Sequence, residues 1–285
     1  MPPPVDLAPY GSHPPRGFAR MMLALTRRLP PNWLGLRTSM PLRRMAIDWL
    51  GEEPVDTTVW NARVRLYPSR NSCEKNALFT PQMLDVIERG ELADALDRRL
   101  AEAGGFTFVD IGANVGLYSL FVAARGGPRT RILAIEPQPG IVERLPFNLE
   151  ANAGFEFTVL PIAVADREGE IDLVIDPRDS GGTHLGVGRP AASGAETVCV
   201  RCRPLLAILR EAAIAAIDAM KIDIEGAEDL ALAPFLEAAP QALLPRLLLI
   251  EVRPADWRVD LSALLRRRGY IIATRSRHNA VWRLA

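Results

Sequence analysis

From Phe106 to the C-terminus, short apolar runs alternate with stretches of helical spacing, and this alternation restricts the fold more than any other feature of the chain. The runs are FTFVDIG, TRILAIE, FEFTVLPIAVA, AMKIDI and RLLLIEV. Each is apolar nearly throughout, as a strand covered on both faces must be, and strands separated by helices join in parallel through crossovers. The segment is therefore expected to be α/β, a mostly parallel sheet with helices on both faces. Helices are predicted after Gly116, after Pro139, over 204–216, after Gly226 and over 255–268. Two further runs, IDLVID and ETVCVRC, predict a β-hairpin insertion between the third and fourth parallel strands, joined by the long Gly-rich connection PRDSGGTHLGVGRPAASGA. The closing YIIATRSRHNAVWRL predicts an antiparallel hairpin turning near His278 and Asn279.

The chain thus divides into an N-terminal extension, 1–105, and an α/β domain, 106–285. In the extension, TTVWNARVRLY reads as a strand or hairpin turning near Asn61 and Ala62, and PQMLDVIERGELADALDRRLAEAGG reads as a helix ending at a Gly pair. Its first part is asymmetric in charge. No acidic residue lies between Asp6 and Asp48, whereas Arg16, Arg20, Arg27, Arg28, Arg37, Arg43 and Arg44 all fall there among Met, Leu, Phe and Trp. Two accounts fit: short helices packed on the domain with their arginines in water, or a basic amphipathic surface over 16–44 for an anionic membrane or acidic glycan. Pro30, Pro31 and Pro41 argue against one continuous interfacial helix.

Composition removes several classes. With 285 residues, 48% of them hydrophobic, the chain can bury a sizeable core and is not globally disordered. Zero formal charge leaves no whole-molecule field for a nucleic-acid backbone, so no nucleic-acid partner is expected. Cys73, Cys199 and Cys202 are an odd number, which fits a reducing compartment; the CxxC pair lies in a strand pattern with no second ligand pair. No signal-peptide pattern opens the chain, and no stretch approaches the ~18 uncharged apolar residues of a membrane span. The expected location is cytoplasmic, with contact at the inner membrane face as an option. Lys75 and Lys221 are the only lysines, all other basic residues being arginine, which singles out each of them.

The strongest local signal is DIGANVG, Asp110 to Gly116, between the first parallel strand and a helix. Gly112 and Gly116 allow a sharp turn and close approach of a ligand, and the helix start is expected to offer free N–H groups. It is not the dinucleotide fingerprint GxGxxG, because positions 114 and 117 are Asn114 and Leu117. The second strand ends in Glu136, suited to accept hydrogen bonds from both hydroxyls of a ribose. In KIDIEGAE, period-two alternation puts Lys221, Asp223 and Glu225 on one strand face and Ile222 and Ile224 on the other. Three charges on a buried strand must be paired or face a cleft. Glu251, ending the next strand, is placed to join them, and His184 lies on the Gly-rich connection.

The succession FVDIGANVGLYSL, AIEPQPGIVERLPFNLEAN, PIAVADREGEIDL, DAMKIDIEGAE and LLLIEV resembles the FkbM methyltransferase family over residues 106–252, with weaker similarity through VWNARVRLYPSRNSCEKNALFTP. The resemblance implies a Rossmann-like class I methyltransferase fold, S-adenosylmethionine as cofactor, and O-methylation of a hydroxyl on a sugar, glycan or secondary metabolite. By position, Asp110, Gly112, Asn114 and Gly116 would line the methionine end, Glu136 would hold the ribose, and Ala163 and Val164 would flank the adenine. One departure is visible: Leu205 and Leu206 stand where the family commonly has Leu-Asp. Among the catalytic candidates Asp223, Lys221, Glu225, Glu251 and His184, Asp223 is the first choice to orient or deprotonate the acceptor. Adjacent carboxylates oppose a lowered lysine pKa, so Lys221 is expected to position groups rather than to act as base. No dedicated metal site is assigned. The alternatives are metal-assisted transfer using Asp223, Glu225 and Glu251 as oxygen ligands, a nicotinamide-dependent oxidoreductase, and a non-catalytic adaptor that has kept the fold.

Overall fold

A computed structural model describes residues 6–69, 71–102, 104–152, 154–176, 179–185 and 195–285; most of the Gly-rich connection lies outside them. The chain opens with helices α1 (Gly17–Thr26) and α2 (Trp33–Leu50), then a two-stranded hairpin, β1 (Val55–Val59) and β2 (Ala62–Leu66). Its turn sits at Trp60 and Asn61, both with positive φ, at the predicted place. Helices α3 (Ser72–Phe79) and α4 (Val86–Ala101) lead into β3 (Phe106–Ile111). Next come α5 (Leu117–Gly126), β4 (Thr130–Ile135), α6 (Pro139–Val142), α7 (Arg144–Glu150) and β5 (Glu156–Leu160). The insertion comprises β6 (Ala163–Val164), β7 (Gly169–Asp176), β8 (Asp179–Leu185) and β9 (Glu196–Arg203). The chain closes with α8 (Leu205–Glu211), β10 (Ala219–Ile222), α9 (Glu228–Ala238), β11 (Leu247–Glu251), α10 (Leu261–Arg267), β12 (Tyr270–Arg275) and β13 (Asn279–Leu284).

The main sheet has the order β12-β13-β11-β10-β3-β4-β5. Its five apolar strands run parallel, and β13 inserts antiparallel between β11 and β12. The order reverses at β3, whose neighbours are β4 on one side and β10 on the other; crevices at such switch points are where α/β sheets bind ligands. This is a Rossmann-like α/β architecture with an antiparallel strand inserted near one edge.

Two expectations are corrected. The run FEFTVLPIAVA is not one strand, because β5 stops at Leu160. Pro161 has no N–H to donate to a ladder, and β6 beyond it pairs with β9 in another sheet. The insertion is also more than a hairpin: it forms a four-stranded sheet, β6-β9-β7-β8, in which β8 is recruited from the Gly-rich connection by pairing with β7.

The extension is continuous with the domain. Val64, Leu78, Phe79 and Leu92 share one buried cluster with Phe106, Leu120 and Leu145, so no seam in packing separates residues 105 and 106. Its anchor is Arg65, 2% exposed. The guanidinium meets Asp56 through Nε at 2.7 Å and Nη2 at 2.9 Å, and donates to the carbonyls of Asp6, Ala8 and Pro9. Asn148 on α7 locks this hairpin to the domain. Its Oδ1 accepts from Arg65 N at 2.8 Å, and its Nδ2 donates to Val115 O at 3.0 Å in the β3–α5 loop.

Arg65→Ala leaves Asp56 buried without its cation and is expected to lower the unfolding free energy by ~3–5 kcal/mol. Arg63→Ala, on the exposed face of the same strand, should stay within about 0.5 kcal/mol of the parent. Urea unfolding of the two variants checks the difference.

Candidate active site

A cleft opens where the carboxyl ends of β3, β4 and β10 meet the second sheet and the extension. One half is built by the β3–α5 loop. Gly112 has φ +72°, and a Cβ there would lie 1.9 Å from the carbonyl oxygen of Asp223, so only glycine lets this loop lie against the end of β10. Gly116 has φ +88°, and a Cβ would come 2.7 Å from Leu145 Cδ1; it packs on α7 and is not among the cleft-lining residues, so its role is structural.

The backbone donors of the loop itself, residues 112–116, turn inward. Gly112 N and Ala113 N both donate to Ile135 O, Asn114 N to Glu136 Oε2, Val115 N to Asn114 Oδ1, and Gly116 N to Ala113 O. Ser119 N donates to Asp110 Oδ2, which also accepts from the Ser119 hydroxyl at 2.7 Å. A pyrophosphate requires such donors to be available. What this half offers instead is carboxylate. Asp110 is buried, its pKa raised by burial against the pull of Lys221, and its Oδ1 accepts no hydrogen bond from the described residues. Glu136 receives one backbone N–H on each oxygen, from Asn114 and from Gln138 at 3.0 Å, and burial pushes it up to about 7. Opposite stand the apolar side chains of Ile162, Ala163, Val164 and Leu173. Asn114, in the left-handed region at φ +51°, lines the cleft while its Oδ1 also accepts from Asn71 Nδ2 at 3.2 Å.

The other half holds Lys221, Asp223 and Glu225. They come together by a different route from the one expected. Strand β10 ends at Ile222, and Glu225 sits in a turn with φ +57°, so alternation stops before Asp223 and Ile224 lines the cleft rather than facing away. Glu228 fixes this turn: its Oε1 accepts from Ile224 N and Gly226 N, and its Oε2 from Trp257 Nε1. Lys221 Nζ donates to Asp223 Oδ2 at 2.9 Å and lies 5.1 Å from the centre of the Tyr118 ring. Burial alone would depress the ammonium, but the Asp223, Asp110 and Asp85 carboxylates outweigh it and hold the pKa above that of an ordinary lysine. Conversely, burial would raise the carboxyl of Asp223, but Lys221, then a hydrogen bond with Glu251 and the charge of Arg253, overcome it and lower the pKa.

Glu251 stands behind the cleft wall. Burial raises its carboxyl, as do Asp223 and Glu225, although Arg253 Nε donates to it at 2.8 Å. Single oxygens of Asp223, Glu225 and Glu251 lie within 4.8 Å of one another, the triad considered as oxygen ligands, but Arg253 also pairs with Glu225. The cluster is therefore bridged by two cations of its own, Lys221 and Arg253. His184 does not join the site. It lies on β8 rather than on a loop, its Nδ1 faces Gly182 O at 3.3 Å, and its neighbours Thr183 and Leu185 line the cleft while it does not.

Sequence reasoning missed the extension's share. Ser72, Cys73 and Asp85 line the cleft together with Tyr118, whose hydroxyl donates to Asp85 Oδ2 at 3.0 Å. Burial raises the pKa of both Asp85 and Tyr118. The sequence signal for Asp85 was masked: it falls inside a helical periodicity, yet the structure places it before α4 in the left-handed region, φ +46°.

Comparison with known proteins agrees with this architecture. The family model described as the methyltransferase FkbM domain matches residues 110–272. Methyltransferase sdnD of Sordaria araneosa is 28% identical over 201 residues, covering 61% of this chain and 76% of that protein. The AMB antimetabolite synthetase AmbE of Pseudomonas aeruginosa is 30% identical over 205 residues, 59% of this chain, and the match spans only 10% of AmbE. A crystal structure of the METTL16 methyltransferase domain aligns with a TM-score of 0.49 at 13% identity, covering 94% of this chain and 93% of that one.

Gly112→Ala tests the contact on which the cleft depends. Gly127 also has a positive φ, +56° with ψ −136°, but with open space where a Cβ would go, so Gly127→Ala reads backbone strain alone, ~1–3 kcal/mol. Gly112→Ala is expected to cost clearly more in thermal or urea unfolding.

Proposed function

Because this chain belongs to the FkbM methyltransferase family, we propose that its methyl donor is S-adenosylmethionine and that the acceptor is a hydroxyl of a sugar, glycan or secondary metabolite. The donor assignment rests on one observation above all: the loop under the cleft has spent its backbone donors internally and turns carboxylates outward. That suits a ligand that is cationic and carries a ribose but no phosphate, and it weighs against a nicotinamide dinucleotide. Asp110 would face the positive methionine end. Glu136 would accept from the ribose hydroxyls with lone pairs not used by Asn114 and Gln138, and Ala163 and Val164 would border the base. Bound there, the sulfonium supplies an electrophilic methyl group.

Direct displacement at a methyl carbon asks the protein mainly to align the acceptor oxygen and exclude water. Asp223, ionised through Lys221, would accept a hydrogen bond from the acceptor hydroxyl and then its proton as the O–CH₃ bond forms. Lys221, held protonated, keeps Asp223 in place and does not abstract the proton. The adaptor reading is disfavoured because Asp110, Gly112 and Glu136 all line the cleft.

Titration calorimetry with S-adenosylhomocysteine and, separately, NAD tests the donor; binding of NAD alone overturns the assignment. Glu136→Ala should weaken the homocysteine nucleoside by ~1–3 kcal/mol through lost hydrogen bonds to a charged acceptor. Glu136 accepts two hydroxyls only when ionised, so affinity should fall as the pH drops through about 7, a dependence absent from Glu136→Ala. In turnover assays, Asp223→Asn should keep the cofactor affinity while slowing methyl transfer ~100-fold.

A further inference from the structure

Helix α2 is built inside out for a helix whose outer side faces only water. Inward it presents Gly35, Ser39 and Ala46; outward it presents Trp33 at 74% exposure, Leu34 at 53%, Met45 at 54% and Trp49 at 55%. Helical spacing sorts the outward residues into two apolar stripes, Leu34, Pro41, Met45 and Trp49 on one flank and Trp33, Leu36 and Met40 on the other, with Arg37, Arg44 and, at the last turn, Asp48 between them. The start of α1 lies beside the end of α2, since a Cβ on Gly17 would touch the Trp49 ring at 3.7 Å, so the two helices run antiparallel. Helix α1 extends the same surface, burying Ala19, Met22, Leu23 and Thr26 while exposing Arg20, Met21 and Leu25.

The arginines of this segment divide by task. Arg27 and Arg43 turn inward: Arg27 Nε donates to Leu78 O at 2.9 Å and Arg43 Nη1 to Asn76 Oδ1 at 2.8 Å, which fastens both helices to α3. Arg16, Arg20, Arg28, Arg37 and Arg44 are exposed, and no acidic residue accompanies them until Asp48. A self-complementary pairing of two copies through this face would set arginine against arginine. We propose that the α1–α2 face docks on an anionic lipid surface, with tryptophan, leucine and methionine entering the headgroup boundary and the exposed arginines meeting lipid phosphates. Helix α3, held by Arg27 and Arg43, contributes Ser72 and Cys73 to the cleft, so docking brings the extension's side of the cleft to within one helix of the lipid surface.

The test is co-sedimentation of the full chain with vesicles of phosphatidylcholine alone and of phosphatidylcholine with phosphatidylglycerol. Binding is expected on the anionic vesicles and should weaken as salt is raised. Arg37→Gln/Arg44→Gln should reduce the partition coefficient about 25-fold, near fivefold per arginine. Trp33→Ser/Leu34→Ser should reduce it about tenfold or more through lost apolar burial. Thermal melting and S-adenosylhomocysteine binding confirm that both variants are folded, and neither pair touches the cleft. Equal binding to neutral and anionic vesicles, or none to either, overturns the proposal. So does light scattering that shows a dimer abolished by Trp33→Ser/Leu34→Ser without any vesicle binding.

Discussion

The site depends on the approach of two backbones, the loop after β3 and the end of β10, which meet where Gly112 leaves room for the carbonyl of Asp223. Parallel pairing of Lys221 with Asp110 sets the register one step earlier. Together these contacts fix the separation between the buried carboxylate Asp110 and the Lys221–Asp223 pair. Neither half can move without breaking a strand pair or forcing apart atoms already in contact. A bimolecular displacement is sensitive to this separation, because its rate depends on reactants held in line rather than on strong acid or base chemistry.

Charge in the cleft is arranged around that geometry. Among the described residues Lys221 is the cation that lies between Asp85, Asp110 and Asp223, and Lys221, with help from Glu251 and Arg253, lowers the pKa of Asp223 while burial pushes Asp85 and Asp110 upward. On the outer side, Arg253 pairs with both Glu225 and Glu251, yet burial and the neighbouring carboxylates still raise the Glu251 carboxyl. Arg253 meets the two carboxylates through separate nitrogens of its planar fork, Nε to Glu251 and Nη2 to Glu225, whereas Lys221 brings one compact ammonium to Asp223. In a chain whose other basic residues are nearly all arginine, Lys221 is where the compact ammonium is needed.

The parallel strands, the closing hairpin and the loop glycine were legible in the sequence because each has a local cause: continuous apolar runs, paired β-patterned segments, and a backbone position that excludes a side chain. Strand β8 was not legible. Its residues, DSGGTHL, carry no apolar alternation, and they form a strand only because β7 offers an open edge. That distinction also explains the misplacement of His184, which was assigned from loop composition, whereas its direction is set by strand pairing. Asp85 failed for the opposite reason, since helical periodicity runs straight through a residue that the backbone places in the left-handed region. Ion-pair partners such as Arg253 are set by tertiary contact and leave no periodic trace.

The family model begins at Asp110, yet Ser72, Cys73 and Asp85 reach the cleft from upstream of it. These residues are positioned by the extension's tie to the domain through Arg65 and Asn148, and by Arg27 and Arg43, which hold α3 within the extension. If the donor lies over Asp110 and Glu136, the residues that contact the acceptor come in part from a segment the family pattern does not cover. A shared donor site then coexists with acceptor sites that differ among members, because the parallel sheet fixes the first while the extension shapes the second. On that reading, acceptor choice would be a property of α3, the start of α4 and the residues that hold them, where changes leave the sheet undisturbed.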